Sequence, residues 1–248
     1  MDQVEYIAES MQRHRKVLAI DIGGNHVKTR VFGRREMRQF DSGPDLTPRQ
    51  MVARVHALTG DWTFDAVSIG YPGIVLHGRV AAEPHNLGAG WVGFDFRKAF
   101  GRPTRVINDA AMQAIGSYEG GRMLFLGLGT GLGSAMIMDG VVAPMELAHL
   151  PYKNERSYEE WVGERALKRL GAKKWRRTVI EVVAELSTVL QSDYVVIGGG
   201  NARKLKRLPP NARLGSNDFA FLGGFRMWHH GGSVPAAAKG YRRSLSLP

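Results

Sequence analysis

Two stretches of this chain are suited to meet phosphate. Asp21-Ile22-Gly23-Gly24 closes one apolar run, and Gly127-Leu128-Gly129-Thr130-Gly131-Leu132-Gly133 closes another about a hundred residues later. A glycine-rich turn lets backbone N–H groups approach phosphate oxygens with no Cβ in the way, and it permits the positive φ angles that a concave run of amides needs. Neither loop is the G-x-x-x-x-G-K-[ST] phosphate loop or the G-x-G-x-x-G dinucleotide fingerprint, and each is followed by an apolar alternation where those motifs require a helix. A plain hairpin turn explains either loop taken alone; their recurrence, with Asp21 ending the first run, favours phosphate binding. Asn108-Asp109 offers a second kind of chemistry, a carboxylate at a strand-to-helix junction, where it either caps the helix or is free to exchange a proton. Glu146-Leu147-Ala148-His149 sets a carboxylate and an imidazole three residues apart, on one face if the segment is helical. A solvated helix face explains that pair equally simply.

The elements that must position these groups can be read from hydropathy periods. Val17 to Ile22 and His26 to Phe32 alternate as a half-buried hairpin does, and Met123 to Leu126 with Ser134 to Met138 repeat the plan. Asp139-Gly140 has the chemistry of a tight hairpin turn leading into Val141-Val142. Two such units imply an internal duplication and two related lobes. Ala66 to Gly70, Thr104 to Ile107 and Tyr194 to Ile197 read as strands, Ala110 to Glu119 as a helix. Trp175, Val179, Val182, Val183, Leu186 and Leu190 recur at helical steps and predict an amphipathic helix from about Lys173 to Gln191. Pro209-Pro210 and Gly223-Gly224 read as punctuation of the last quarter. The whole is α/β: a 1–16 N-terminal extension, a 17–108 α/β lobe, a 109–229 α/β lobe, and a basic 230–248 tail expected to be poorly ordered.

The composition bounds what the chain can be. At 248 residues and 44% hydrophobic content it can bury real cores. With no cysteine it has no disulfide, no thiolate metal site and no cysteine nucleophile, which fits the cytoplasm. Met1 to Arg15 lack the apolar stretch of a signal peptide, and no uncharged apolar run reaches the ~18 residues of a membrane span. A net charge of +11 draws polyanions, with nucleic acid, membrane surfaces and polyphosphate all eligible on charge alone.

Taken together, Asp21-Ile22-Gly23-Gly24 with Lys28, Gly127 to Gly133, and Ile197-Gly198-Gly199-Gly200 resemble the phosphate-binding and nucleoside-side segments of actin-like sugar kinases in the ribonuclease H-like superfamily. Within them the chain resembles the ROK family, most closely its polyphosphate glucokinase branch, over roughly Val17 to Met227. The resemblance implies a two-lobed actin-like fold with duplicated mixed β-sheets, and transfer of phosphate from polyphosphate or ATP, with Mg²⁺, to a hexose such as glucose. It implies that Asp109 is the catalytic base and that Asn86, Asn108, Glu146 and His149 bind the sugar. It implies that Asp21, Gly23, Gly24, Asn25, Lys28, Gly129, Thr130, Gly131, Gly199 and Gly200 meet the phosphates, with Asp21 also the metal ligand. Tyr71-Pro72-Gly73 is similar to the family's sugar-side turn, Asn86-Leu87 with Trp91 to its Asn-Leu…Trp stretch, and Lys173-Lys174-Trp175-Arg176-Arg177 to the Lys-Trp segment of polyphosphate glucokinases.

The chain departs from the pattern at Asn25, where threonine is usual, at Ala148, where glycine is usual, and in lacking the family's zinc-binding cysteines, so no zinc is expected. A homodimer is implied, with neither nucleic acid nor membrane as partner. Kinases for mannose or an N-acetylated hexose share the pattern. A sugar-responsive regulator would need an N-terminal helix-turn-helix that ~16 residues cannot make.

Overall fold

A computed structural model of the chain describes residues 15–216 and 218–228. The expected tail at 230–248, and the expected extension before Arg15, lie outside the described residues. The described residues divide into two units, one of residues 15–112 with 220–228, the other of residues between 113 and 219.

The first unit opens with β1 (Val17–Ile22), β2 (His26–Val31) and β3 (Arg38–Asp41), then α1 (Pro48–Leu58), β4 (Ala66–Tyr71), β5 (Val75–Leu76), β6 (Arg79–Val80), α2 (Phe96–Phe100) and β7 (Thr104–Asn108). Its main sheet has the order β3-β2-β1-β4-β7, antiparallel between β1, β2 and β3 and parallel from β1 through β4 to β7. Strand burial follows from that order. β4 is buried throughout, as a parallel strand covered on both faces must be, whereas β2 alternates buried and half-buried residues. Helix α1 starts where Thr47 and Gln50 form a capping box and Pro48 takes the first turn. Leu18, Ile20 and Ile22 pack with Met51, Ile69 and Trp91 on one face of the sheet.

Helix α3 (Asp109–Ser117) begins in the first unit and ends in the second, where β8 (Arg122–Leu128), β9 (Leu132–Met138), β10 (Val141–Met145), β11 (Pro151–Lys153) and β12 (Arg156–Ser157) follow. Next come α4 (Tyr158–Val162), α5 (Glu164–Val189), β13 (Tyr194–Gly198) and β14 (Ala212–Leu214). The order β10-β9-β8-β13-β14 repeats the first sheet, hairpin first and parallel strands after. The expected duplication is therefore present in the hydrogen-bond ladders. Asp139 and Gly140 both have positive φ, at 48° and 86°, the requirement of the tight turn predicted there. Helix α5 buries Trp175, Val179, Val182, Val183 and Leu186 as its period predicts, but it begins earlier, at Glu164, and is interrupted at Gly171, with φ 72° and ψ 158°.

One reading of the sequence is overturned. Gly223 and Gly224 do not punctuate; they are buried inside α6 (Asp218–Arg226), which packs Phe221 and Phe225 against Val17, Ala19 and Ala66. A Cβ on Gly224 would stand 2.7 Å from that of Ala19, and Ser68 Oγ donates to the Gly224 carbonyl at 2.6 Å. Glycine is used here for close approach of helix to sheet.

Candidate functional site

In the first unit the functional residues gather at the β1–β2 turn and the β7–α3 junction. Ser42 Oγ donates to the Gly23 carbonyl at 2.7 Å, Ser42 N–H to the Asn25 carbonyl at 2.9 Å, and Gly23 N–H to the His26 carbonyl at 2.9 Å. Since a trans peptide sets its C=O and N–H on opposite sides, fixing the Gly23 carbonyl on Ser42 turns the Gly24 N–H away from it. A Cβ on Gly24 would meet only Asn86, at 3.7 Å, so the structure brings these two expected site residues together. Asn25 and Asn86 are exposed.

Asp21 faces Lys28 across the β1–β2 ladder. Burial pushes its carboxyl up to about 6, against the opposing pull of the Lys28 ammonium. On its other side Asp21 pairs with Gly70 of β4. A Cβ there would lie 3.4 Å from Asp109 Cα and 2.5 Å from Met112 Cε, so the bare backbone of Gly70 lets α3 close onto the sheet beside Asp21.

Hydrogen bonds show which residue caps the helix at Asn108-Asp109. Asn108 Oδ1 accepts from Ala111 N–H at 3.1 Å, the bond of an N-cap, and its Nδ2 donates to the Gly73 carbonyl at 3.1 Å. Asn108 thus starts the helix and ties it to the Tyr71-Pro72-Gly73 turn. Asp109 is the first helical residue, half-buried, and its Oδ1 accepts from Ala110 N–H at 2.7 Å. Trp91 lies wholly in the core.

The second unit holds the other group. Of the glycine run, Gly127 and Gly133 are paired strand residues, which leaves Gly129-Thr130-Gly131 as the loop. The expected positive φ is absent from Gly23, Gly24, Gly129 and Gly131; among the phosphate-loop glycines it occurs at Gly199, at 81°, where a Cβ would come within 2.4 Å of the Leu128 carbonyl oxygen. Clearance is demanded at Gly131 and Gly199 alone among them. Gly129 and Gly200 have nothing within 4 Å of a Cβ position, whereas one on Gly131 would sit 2.2 Å from Glu159 Oε2. Glu146 precedes a 3₁₀ turn, Leu147–His149, that His149 ends, and both residues are exposed. Glu146 has φ −115° and ψ 60°, outside the helical range, so the helical spacing on which a shared face depended covers His149 alone. Ser134 holds the turn, its Oγ donating to the Met145 carbonyl at 2.8 Å and accepting from Leu147 N–H at 3.2 Å.

Two residues that sequence reasoning missed belong with this group. Glu159 Oε2 accepts from Leu132 N–H at 3.4 Å, at the end of the glycine loop. The Ser157-x-x-Glu160 capping box that starts α4 was its available signal. Asn201 directly follows Gly198-Gly199-Gly200, and its Nδ2 donates to the Gly129 carbonyl at 3.0 Å. Nearby, Arg165, Lys168, Arg169, Lys173, Lys174 and Arg177 are exposed on α5, while Trp175 between them is buried, with Nε1 donating to the Val162 carbonyl at 2.8 Å.

The model described as the ROK family matches residues 17–144. The chain is 27% identical over 231 residues to a polyphosphate glucokinase of Mycobacterium tuberculosis (strain ATCC 25177 / H37Ra), covering 80% of this chain and 82% of that one. It is 26% identical over 226 residues to a polyphosphate glucokinase of Mycobacterium leprae (strain TN), covering 82% and 68%. Among solved structures, the inorganic polyphosphate/ATP-glucomannokinase from Arthrobacter sp. strain KM superposes with a TM-score of 0.75 at 23% identity, covering 87% of this chain and 98% of that one. The fold is thus the duplicated, actin-like α/β fold expected from the sequence.

Proposed function

This chain belongs to the ROK family, and from that membership we propose that it transfers a phosphoryl group from polyphosphate or ATP to the 6-hydroxyl of a hexose, glucose foremost. The observation that carries the reading is the repeat: each unit's sheet begins with an antiparallel hairpin turning on side-chain-free backbone, and Asp109 opens the helix that directly follows the first sheet. The polyphosphate glucokinases at 26–27% identity support the donor and the sugar. The fold shared with a glucomannokinase makes mannose the first alternative acceptor to assay.

Phosphoryl transfer runs through a loose transition state, so positioning and charge neutralisation supply most of the catalysis. Asn86, Asn108, Glu146 and His149 hold the sugar by its hydroxyls. Asn108 spends one N–H and one lone pair inside the fold and keeps one of each for substrate. The Asp109 carboxylate takes the proton of the attacking hydroxyl as the new O–P bond forms and the P–O bond to the leaving phosphate breaks. Backbone N–H groups of the Gly23-Gly24-Asn25, Gly129-Thr130-Gly131 and Gly199-Gly200 segments, with the Lys28 ammonium, receive the donor's oxygens.

Asp21 fits a Mg²⁺ ion. A carboxyl held toward neutrality by burial regains its charge beside a cation, and Mg²⁺ is commonly held by one or two carboxylates, substrate phosphates and water. Among the described residues no three His, Asp or Glu side chains group as a metal cluster, so the ion would depend on Asp21 and on the donor itself. Bound there it would neutralise charge on the phosphates. Among the described residues no helix is long and apolar enough to cross a membrane. The family resemblance supports a homodimer, whose mass light scattering would check, and a cytoplasmic location.

The test is a panel of hexoses assayed with Mg²⁺ and either ATP or polyphosphate, using the wild type and Asp109→Asn. The variant is expected to bind glucose as before and to lose roughly 10²–10⁴-fold in kcat, the worth of a positioned base. Near-normal turnover in Asp109→Asn would remove Asp109 from its role.

A further inference from the structure

The second glycine loop is held from behind by one buried amide. Asn201, 8% exposed, donates from Nδ2 to the Gly129 carbonyl at 3.0 Å, accepts at Oδ1 from the Lys204 ammonium at 2.7 Å, and donates its backbone N–H to the Leu128 carbonyl at 2.9 Å. The side-chain bonds are not part of the sheet, since β13 and β8 already pair from Tyr194↔Met123 to Gly198↔Gly127. They fasten the loop beyond the end of the ladder.

The consequence is directional. With the Gly129 carbonyl fixed on Asn201, the Thr130 N–H of the same trans peptide must point the opposite way. Thr130 is exposed, and a Cβ on Gly129 would meet nothing within 4 Å, so that N–H stands on open backbone. Lys204 decides which way round the amide sits. The two ends of an asparagine amide have nearly the same shape, but an ammonium only donates, so it holds Oδ1 and leaves Nδ2 for Gly129. Lys204 is anchored in turn, its carbonyl accepting from Arg176 Nε at 2.6 Å, while its ammonium has two further N–H groups for an anion.

We propose that Asn201 is a positioning residue that aims the Thr130 N–H at a phosphate of the donor, and that Lys204 orients the Asn201 amide and adds its cation to the same subsite. The ligand class is a phosphoanhydride chain. This deepens the kinase reading and rests on it for the identity of the donor.

The test reads binding and catalysis separately. Titration calorimetry with tripolyphosphate is expected to show Asn201→Leu, similar in volume but without hydrogen bonds, weakened about tenfold. Donor KM should rise by the same factor with hexose KM within about twofold, because a loop aimed at the donor does not touch the sugar. Lys204→Met should weaken tripolyphosphate binding and flatten its salt dependence, and Lys204→Arg, also a pure donor, should restore most of both. Tripolyphosphate binding unchanged in folded Asn201→Leu, or donor and hexose KM raised together, overturns the proposal. If Asn201→Leu does not fold, Lys204→Met against Lys204→Arg at the exposed position decides, and equal binding by both overturns it. A wild type that binds tripolyphosphate in an Asn201-dependent way yet phosphorylates no hexose would sink the kinase reading and leave this assignment standing.

Discussion

The Asp21 carboxyl is placed where folding favours its neutral form and a bound cation would favour its charge. Its value is raised from 3.8 to about 6 by burial, so between those values the folded chain holds a proton that the unfolded chain has released. Stability is therefore highest below about pH 4 as far as this group is concerned, and is lost as pH rises through 6. Asp21→Asn has no proton to lose. In metal-free protein it should match the wild type near pH 4 and exceed it at pH 8 by at most about 3 kcal/mol, while abolishing phosphoryl transfer. Unfolding at pH 4, 6 and 8 in a chelator would show it; a difference that does not vary with pH would remove burial as the cause. The position of Asp21 was legible in the sequence because a carboxylate interrupts an apolar strand just before a glycine pair. The division of labour at Asn108-Asp109 was not, since both residue types cap helices equally well. Only the reach of Asn108 Oδ1 to the Ala111 N–H shows which of the two is the cap.

Among the elements, the two glycine loops were readable as loops, but the reason for their glycines was not. Local sequence suggests backbone torsion, whereas in most of them the controlling fact is a distant neighbour or open space. The distinction is testable. Gly199→Ala combines a φ of 81° with a Cβ 2.4 Å from the Leu128 carbonyl oxygen and should cost about 2 kcal/mol or more of stability. Gly129→Ala meets nothing within 4 Å and should leave the unfolding midpoint within about 0.5 kcal/mol, yet raise donor KM, since the methyl enters the space proposed for phosphate. Equal stability losses in the two variants would contradict the clearance argument. Helix α5 shows the same limit from another side. Its second half follows from the Trp175 to Leu186 period, but its first turns were missed because Gly171 breaks the period. Gly223-Gly224 misled because a helix that must approach Ala19 closely selects the same residue as a turn does.

For the molecule as a whole, duplication was visible as two glycine-marked hairpins a long way apart, and the strand orders bear it out. Charge is the property that no single element explains. With a net charge of +11, and exposed cations along α5 and on the turn carrying Arg203 and Lys204, a long polyanion has a larger basic surface to meet than ATP does. Buried Trp175, bonded to Val162, fixes α5 with Lys173, Lys174 and Arg177 turned to solvent. Displacing counterions from such a chain makes log affinity fall with log salt by roughly 0.7 per contact, the value for single-stranded nucleic acid. KM for polyphosphate should then rise steeply between 50 and 200 mM salt, a range of the kind used to measure this effect, while KM for ATP changes little. Replacing Lys173, Lys174 and Arg177 together by glutamine should lower the polyphosphate slope by about two and leave hexose KM unaltered. Equal salt sensitivity for the two donors, or a triple variant with the wild-type slope, would mean that the basic face is solvated surface and that polyphosphate is gripped at the glycine loops alone.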